Sequence, residues 1–251
     1  MNLNRSAQAT ESALQLAIEL KINLILAQEP WITPQGEARS TAHSSFAQIL
    51  PKHGNLRPRT LAYISRSFAP TAALAASSPQ DANCLILDII NGSTKIQLLN
   101  IYNKADQAQL GPWTLERCLY SQEINQRAII LGDFNTHHPW WDPLAKKSTG
   151  ADKLVEWIED KELELMNIPG EGTFFRPNVA RETVIDLTLA TSAIAGCIED
   201  WQVVKDIGSD HFGILFTIAS SGPAIGPNNS PFQERFNTKL ANWELFATTL
   251  Q

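Results

Sequence analysis

Acidic and amide side chains recur where the apolar runs of this sequence stop. Glu29 follows NLILAQ, Asp133 and Asn135 follow AIILG with Phe134 between them, Asp186 interrupts VIDLTLA, Asp210 and His211 precede FGILFTI, and Asn2 sits at the start of the chain. A carboxylate at the mouth of a buried strand is costly unless it is paired or bound to a metal. Four such acids and a histidine point to one shared site at the rim of a sheet, where a rigid scaffold gathers its functional groups. Hard oxygen donors without a His/Cys cluster suit Mg2+ or Mn2+ rather than zinc, and Glu29 with Asn2 suits that role. A histidine beside one aspartate, with another aspartate available to orient it, suits phosphate-ester chemistry.

Those residues need strands to carry them. The runs 23–28, 61–65, 84–90, 95–102, 128–132, 183–190, 197–204 and 212–218 read as strands, and Asn91-Gly92 between two of them is a hairpin signal. Helical spacing appears over 10–21, where Thr10 and Glu11 offer a start, over 112–125 behind Pro112, and over 150–163. The last of these turns Leu154, Trp157 and Ile158 inward and leaves Asp152, Glu156, Glu159, Asp160 and Glu162 as a solvated face. Strands cluster rather than alternate strictly with helices. That favours an α+β sandwich with helices covering stacked sheets over a doubly wound parallel sheet. A Gly/Pro/Ser/Asn-rich stretch over 219–231 reads as a linker, so the expected division is a body over 1–218 and, over 219–251, a linker with the start of a truncated C-terminal region.

The chain has 251 residues, 43% of them hydrophobic and 18% charged, which excludes a wholly disordered protein and allows a core without disulfides. Cys84, Cys118 and Cys197 are odd in number and widely spaced, which argues against a disulfide framework or zinc cluster and for a reducing, intracellular setting. The formal charge of -6 argues against a protein that coats nucleic acid through bulk positive charge. The distribution of charge weakens that objection. Between Glu37 and Asp81 there is no acid, while Arg39, Lys52, Arg57, Arg59 and Arg66 fall there with His43 and His53, a segment suited to phosphate contacts. Reversal of Arg57 and Arg59 to Glu is expected to weaken DNA binding and leave the fold intact.

The set N-x-N (2–4), QEP (28–30), NIYN (100–103), GDFN (132–135), VIDL (184–187) and GSDH (208–211), in that order, resembles the endonuclease/exonuclease/phosphatase superfamily. The phrases GDFNTHHPWWDP, EGTFFRP and IDLTLAT resemble more narrowly the apurinic-type endonuclease domain of non-LTR, LINE-type retrotransposons. The resemblance implies a four-layer αββα sandwich and Mg2+-dependent (or Mn2+-dependent) hydrolysis of a DNA phosphodiester that leaves a 3′-hydroxyl. It implies DNA as partner, a reverse transcriptase domain in the full element, and a nuclear location. By resemblance Glu29 is the principal metal ligand with Asn2 beside it, and Asp210 is a further acid at the metal or the histidine. Asp133 orients or deprotonates the attacking water, Asn135 positions the phosphate, His211 stabilises the charge on the scissile phosphate, Asp186 is its carboxylate partner, and Tyr102 hydrogen-bonds the phosphate. Thr173 places a hydroxyl near the DNA, and Arg57, Arg59, Arg176 and His137 are expected at the DNA surface.

Two departures from the pattern stand out. Many relatives have a Pro and a later Asn after the position of Tyr102, where this chain reads Asn103-Lys104-Ala105, so Asn103 either substitutes or leaves that contact missing. Relatives also carry several strand residues before the position of Asn2, so the first strand is expected to be largely missing, Asn2 loosely held and a neighbouring strand edge exposed. Trp140 and Trp141 divide between core packing and stacking on nucleotides. Competing functions are a phosphatase or phosphodiesterase acting on a small molecule or lipid, and a catalytically impaired relic.

Overall fold

The computed structural model describes residues 1–34, 37–104, 113–176, 181–205 and 207–219. The expected linker and tail, apart from Ala219, and Pro112 lie outside the described residues.

The elements run α1 (Ala7–Glu19), β1 (Leu24–Gln28), β2 (Phe46–Ile49), β3 (Thr60–Ser65), β4 (Thr71–Leu74), β5 (Cys84–Asn91), β6 (Thr94–Tyr102), a π-helical turn (Glu116–Tyr120), β7 (Ala128–Asp133), α2 (Ala151–Asp160), β8 (Leu163–Leu165), β9 (Asp186–Thr191), α3 (Ser192–Ala195), β10 (Ile198–Val204) and β11 (Gly213–Ile218). Every strand expected from the apolar runs is present to within a few residues. β2, β4 and β8 were not anticipated, being only three or four residues long.

Helix α1 starts earlier than expected because Ser6, not Thr10, caps it. The Ser6 side chain accepts from the Ala9 backbone N–H, and Thr10 is buried with its hydroxyl donating back to the Ser6 carbonyl. The expected helix over 112–125 contracts around the π-helical turn, which buries Cys118 and Leu119.

A six-stranded sheet orders β4-β5-β6-β7-β9-β8, a three-stranded sheet orders β1-β3-β2, and β10-β11 form a separate ribbon. Three apolar layers hold them together. On one outside, Ala9, Ala13, Leu14 and Ala17 of α1 meet Ile25, Ala27, Phe46, Leu61 and Tyr63 of the three-stranded sheet. Between the sheets lie Leu26, Ala62 and Ile64 against Leu85, Leu87, Ile89, Leu98, Ile129 and Leu131, with Cys197 and Phe216 alongside. On the other outside, Leu154, Trp157 and Ile158 of α2 and Leu115, Cys118 and Leu119 cover Ile86, Leu99, Ile101 and Ile130. The result is the αββα sandwich. The central strands read as unbroken apolar runs because both of their faces are buried, with alternate residues serving different layers. All three cysteines are buried and free.

A buried polar contact ties the two sheets together. Asn100 points inward from β6, fully buried, and its amide donates to the carbonyls of Ala27 (2.9 Å) and Leu61 (3.3 Å), while its oxygen accepts from the side chain of Gln28.

Residues 1–3 run beside β1. The Met1 ammonium donates to the Leu26 carbonyl, Gln28 N–H to the Met1 carbonyl and Leu3 N–H to the Gln28 carbonyl, a parallel pairing that brings Asn2 to the rim. Among the described residues β1 pairs no farther on this side, and a cleft of about 680 Å³ lies between β1 and β11, floored by Ile89, Ile96, Leu98 and Leu131. The open edge expected beside the first strand is therefore present, but a loosely held Asn2 is not: its side chain is buried and hydrogen-bonded at both ends.

Candidate active site

Sheet register builds the site. β6 runs parallel to β7, and β7 antiparallel to β9, so that Tyr102 stands opposite Asp133 and Asp133 opposite Asp186. Three side chains thus line up across three adjacent strand ends. Gly132 makes the close approach possible: its φ is +141°, and a Cβ there would fall 1.9 Å from the Ile101 carbonyl oxygen. After the strand, the Asp133 Oδ1 accepts the Asn135 N–H (2.9 Å), and Asn135 turns at φ +46°. His211 arrives from the segment before β11, bridged to Phe174. Glu29 leaves β1 at φ +43° and Asn2 comes from the pairing described above.

Four residues form a connected chain. Asn2 Nδ2 donates to Asp133 Oδ2 at 2.9 Å, His211 Nε2 lies 3.9 Å from that same oxygen, and His211 Nδ1 lies 2.9 Å from Asp186 Oδ2. All four side chains are buried. Burial, and then the neighbouring Asp186 charge, push the Asp133 carboxyl up to about 7. For His211, burial opposes the charged form, but Asp186, then Asp133 and Asp210, outweigh it and raise the imidazole to about 9. The site therefore holds a protonated imidazole between two crowded carboxyl groups.

The donor set suits a hard divalent cation. Asp133 and Asp186 each bring a carboxylate oxygen within 4.8 Å of the other and of a His211 nitrogen, and Asp186 Oδ1 is buried without a hydrogen-bond partner, so oxygen donors crowd beside the cationic imidazole. Glu29 faces the same rim through Tyr102, whose hydroxyl is pushed up first by burial and then by the Glu29 and Asp133 charges. The Glu29 carboxylate itself is engaged by two cations: Oε1 accepts from Arg5 Nε (3.0 Å), Arg5 Nη2 (2.7 Å) and Arg59 Nη1 (2.6 Å). Asp210 is half-buried and accepts from the Ser209 hydroxyl at 3.3 Å, with its charge acting on His211.

Asn135 donates from Nδ2 to the Asn103 carbonyl, and Asn103 donates from Nδ2 to the Phe134 carbonyl at 2.7 Å. Asn103 is thus a brace of the Asp133 turn. Thr173 departs from expectation. It is fully buried, and its hydroxyl oxygen accepts the backbone N–H groups of Ile185 and Asp186, so it fixes the strand entry of Asp186 and has no face for DNA. Arg57 is exposed, with Nη2 donating to the Ile32 carbonyl, and Arg176 is exposed with its guanidinium 5.2 Å from the Phe174 ring centre. His137 Nδ1 is buried without a partner, and burial, ahead of the nearby charges, holds its pKa down. Trp141 is core, donating from Nε1 to the Thr136 carbonyl, whereas Trp140 is exposed.

Sequence reading missed four contributors. Arg5 binds Glu29, Asn100 ties the sheets, Phe174 packs its ring 4.5 Å from that of His211, and Asn167 braces Asp186 by donating to its carbonyl. Arg5 follows the N-x-N motif and Asn100 opens NIYN, so their positions were visible. Phe174 lies within EGTFFRP, so its position was visible too, although not its contact with His211; no signal marked Asn167 apart from ordinary loop residues.

A family described as endonuclease-reverse transcriptase matches residues 96–215. The structure of the endonuclease domain of TRAS1, a telomere-specific non-LTR retrotransposon, superposes with a TM-score of 0.70 at 20% identity, over 87% of this chain and 95% of that one. This chain has the endonuclease/exonuclease/phosphatase fold. The AP endonuclease LMAP from Leishmania major follows the same superfamily fold (TM-score 0.65, 12% identity, 88% of this chain and 86% of that one). So does the 3′ phosphatase NExo from Neisseria, solved with a product DNA hairpin (TM-score 0.57, 15% identity, 83% and 93%). No curated protein matches the sequence. The matched family and these structures agree with the fold that the six motifs imply. Among the described residues no helix is long and apolar enough to cross a membrane.

Proposed function

We propose that this chain is a divalent-metal-dependent DNA endonuclease that hydrolyses a phosphodiester to leave a 3′-hydroxyl, as in the target-site nicking of a non-LTR retrotransposon. The observation that carries the reading is the buried chain Asn2–Asp133–His211–Asp186, which holds a general base and a cationic imidazole together.

Asp133 takes the proton of the attacking water or aligns it, and the Asn2 amide and the Asn135 N–H keep its carboxylate in place. His211, held protonated by Asp186, donates from Nε2 to a nonbridging oxygen of the scissile phosphate, where negative charge develops. Tyr102 and Asn135 position that phosphate. Glu29 and Asn2, with Asp210, would hold Mg2+ or Mn2+, and the orphaned Asp186 Oδ1 is a further oxygen donor. A bound ion supplies charge neutralisation on the phosphate and the leaving oxygen. Exposed Arg57 and Arg176, with Arg59 and His137, form the DNA-facing side. A nuclear location and an attached reverse transcriptase belong to the same reading, supported by the family description and the TRAS1 likeness.

The test is conversion of supercoiled plasmid to the nicked form at millimolar Mg2+ or Mn2+. Loss is expected with EDTA, with Asp133→Ala and with His211→Ala, and the nick should prime a DNA polymerase without prior phosphatase treatment. A folded protein that leaves plasmid intact under both metals overturns the reading. A second reading, a phosphatase or phosphodiesterase acting on a small molecule, draws on the likeness to a 3′ phosphatase. It predicts phosphate release from 3′-phosphorylated or small phosphate esters with no nicking.

A further inference from the structure

The pairing of Glu29 with two arginines has an unusual form. A single carboxylate oxygen accepts all three guanidinium hydrogen bonds, two from Arg5 and one from Arg59. The stronger arrangement for an arginine and a carboxylate is the fork, in which two nitrogens meet two oxygens. Neither arginine makes it, and each keeps N–H groups for another acceptor. The cations also lie on the solvent side: the Arg5 side chain is 52% exposed and the Arg59 side chain 24%, against 9% for Glu29.

The backbones of the three residues are tied to one another. Glu29 N–H donates to the Arg59 carbonyl (2.8 Å) and Arg5 N–H donates to the Glu29 carbonyl (2.7 Å). The roots of both arginines are therefore fixed beside Glu29, and only their heads are free to leave. One carboxylate faces two guanidiniums, a local excess of positive charge. A divalent cation bound to Glu29 would meet like charges within a few ångströms and be repelled by them. An incoming phosphate relieves that repulsion by accepting the guanidiniums.

We propose that Arg5 and Arg59 are phosphate-positioning residues released by metal: they neutralise Glu29 in the metal-free chain and pass to the substrate's phosphate oxygens when a divalent cation takes Glu29. The inference rests on the reading of Glu29 as a metal ligand. Metal binding and DNA binding then favour each other through a shared pair of side chains, and the favour is reciprocal.

The experiment is a Mn2+ titration of the full chain followed by electron paramagnetic resonance of the free ion, with and without a DNA duplex carrying an uncleavable phosphorothioate linkage. Without DNA, Arg5→Gln with Arg59→Gln should bind Mn2+ about fivefold more tightly than the parent, because the competing cations are gone. With DNA, the parent should gain about tenfold in Mn2+ affinity and the double variant much less. Arg5→Gln alone, at the more exposed position, should show the same direction with a smaller size, which keeps the test available if the double variant folds poorly. Mn2+ affinity that is unchanged or weaker in the arginine variants overturns the exchange. If Glu29→Gln abolishes Mn2+ binding in that case, the metal reading of Glu29 stands and only the exchange fails. Mn2+ binding that survives Glu29→Gln overturns both.

Discussion

His211 Nδ1 lies 2.9 Å from Asp186 Oδ2, and the remaining Asp186 oxygen, Oδ1, has no hydrogen-bond partner. One carboxylate thus fixes the orientation and charge of the imidazole and still presents a free acceptor to the site. Asp186→Asn keeps the shape but removes the charge. The His211 pKa should then fall from about 9 toward its ordinary value, read from the imidazole carbon-bound protons by nuclear magnetic resonance in the metal-free chain. Nicking at neutral pH should drop by about 10²-fold or more, mainly in kcat. A His211 that still titrates near 9 would remove Asp186 as the cause.

The same groups set how metal-free stability depends on pH. His211 is raised above its unfolded value, so its contribution is complete below about 6.5 and is lost as pH climbs through about 9. Asp133 is also raised, so the folded state binds its proton more tightly, and stability falls as pH rises from about 4 to about 7. Both groups act in the same direction. Tm of the metal-free chain should decline from about pH 6.5 to about 9, and His211→Gln should flatten that limb. Added Mn2+ should raise Tm most at the alkaline end, above the range in which Asp133 loses its proton.

Arg57 is exposed, and among the described residues its guanidinium makes one hydrogen bond, to the Ile32 carbonyl. Arg57→Glu should weaken duplex binding several-fold and make the logarithm of affinity depend less steeply on that of salt, by about one unit of slope per lost phosphate contact. Fluorescence anisotropy at several salt concentrations measures it. Arg59 is a poor site for the same reversal, contrary to the expectation from sequence, because a glutamate there would face Glu29 in a half-buried setting. Unchanged slope and affinity for Arg57→Glu would place the DNA surface elsewhere.

Gly132→Ala should be far more damaging than a methyl group normally is. Its Cβ would meet the Ile101 carbonyl at 1.9 Å, and the φ of +141° is one that L-residues avoid. A loss of about 3 kcal/mol or more is expected. Thermal denaturation of any soluble fraction, and the yield of soluble protein, report it. Glycine in GDFN thus serves the approach of β6 to β7, which aligns Tyr102 with Asp133.

Much of the site was readable from residue types at strand ends. Asp133 and Asp186 were visible because an acid beside an apolar run needs a reason to be there, and His211 because it follows another such acid, Asp210, ahead of FGILFTI. The strands themselves were visible because both faces of the central ones are buried, so the apolar runs are continuous. Short β2, β4 and β8 gave no comparable run. The partners of the site were harder. That Arg5 and Arg59 converge on Glu29, or that Thr173 turns its hydroxyl inward to two backbone amides, depends on packing between segments far apart in sequence. Such pairings leave no local periodicity to read.

The bond from Asn2 to Asp133 spans 131 positions, and His211 enters only just ahead of β11, the last strand among the described residues. Synthesis delivers these groups in order, from one end to the other. Until the residues around 211 have emerged and docked, Asp133 and Asp186 lack their imidazole, and the centre that would cut a phosphodiester does not exist. On the proposed reading, nascent chains that stop short of His211 would carry no cutting centre. Closure between segments so far apart in sequence is the kind that slows folding, because distant segments must meet before any contact rewards them. On that reading, the capacity to cut would wait for β11 to dock.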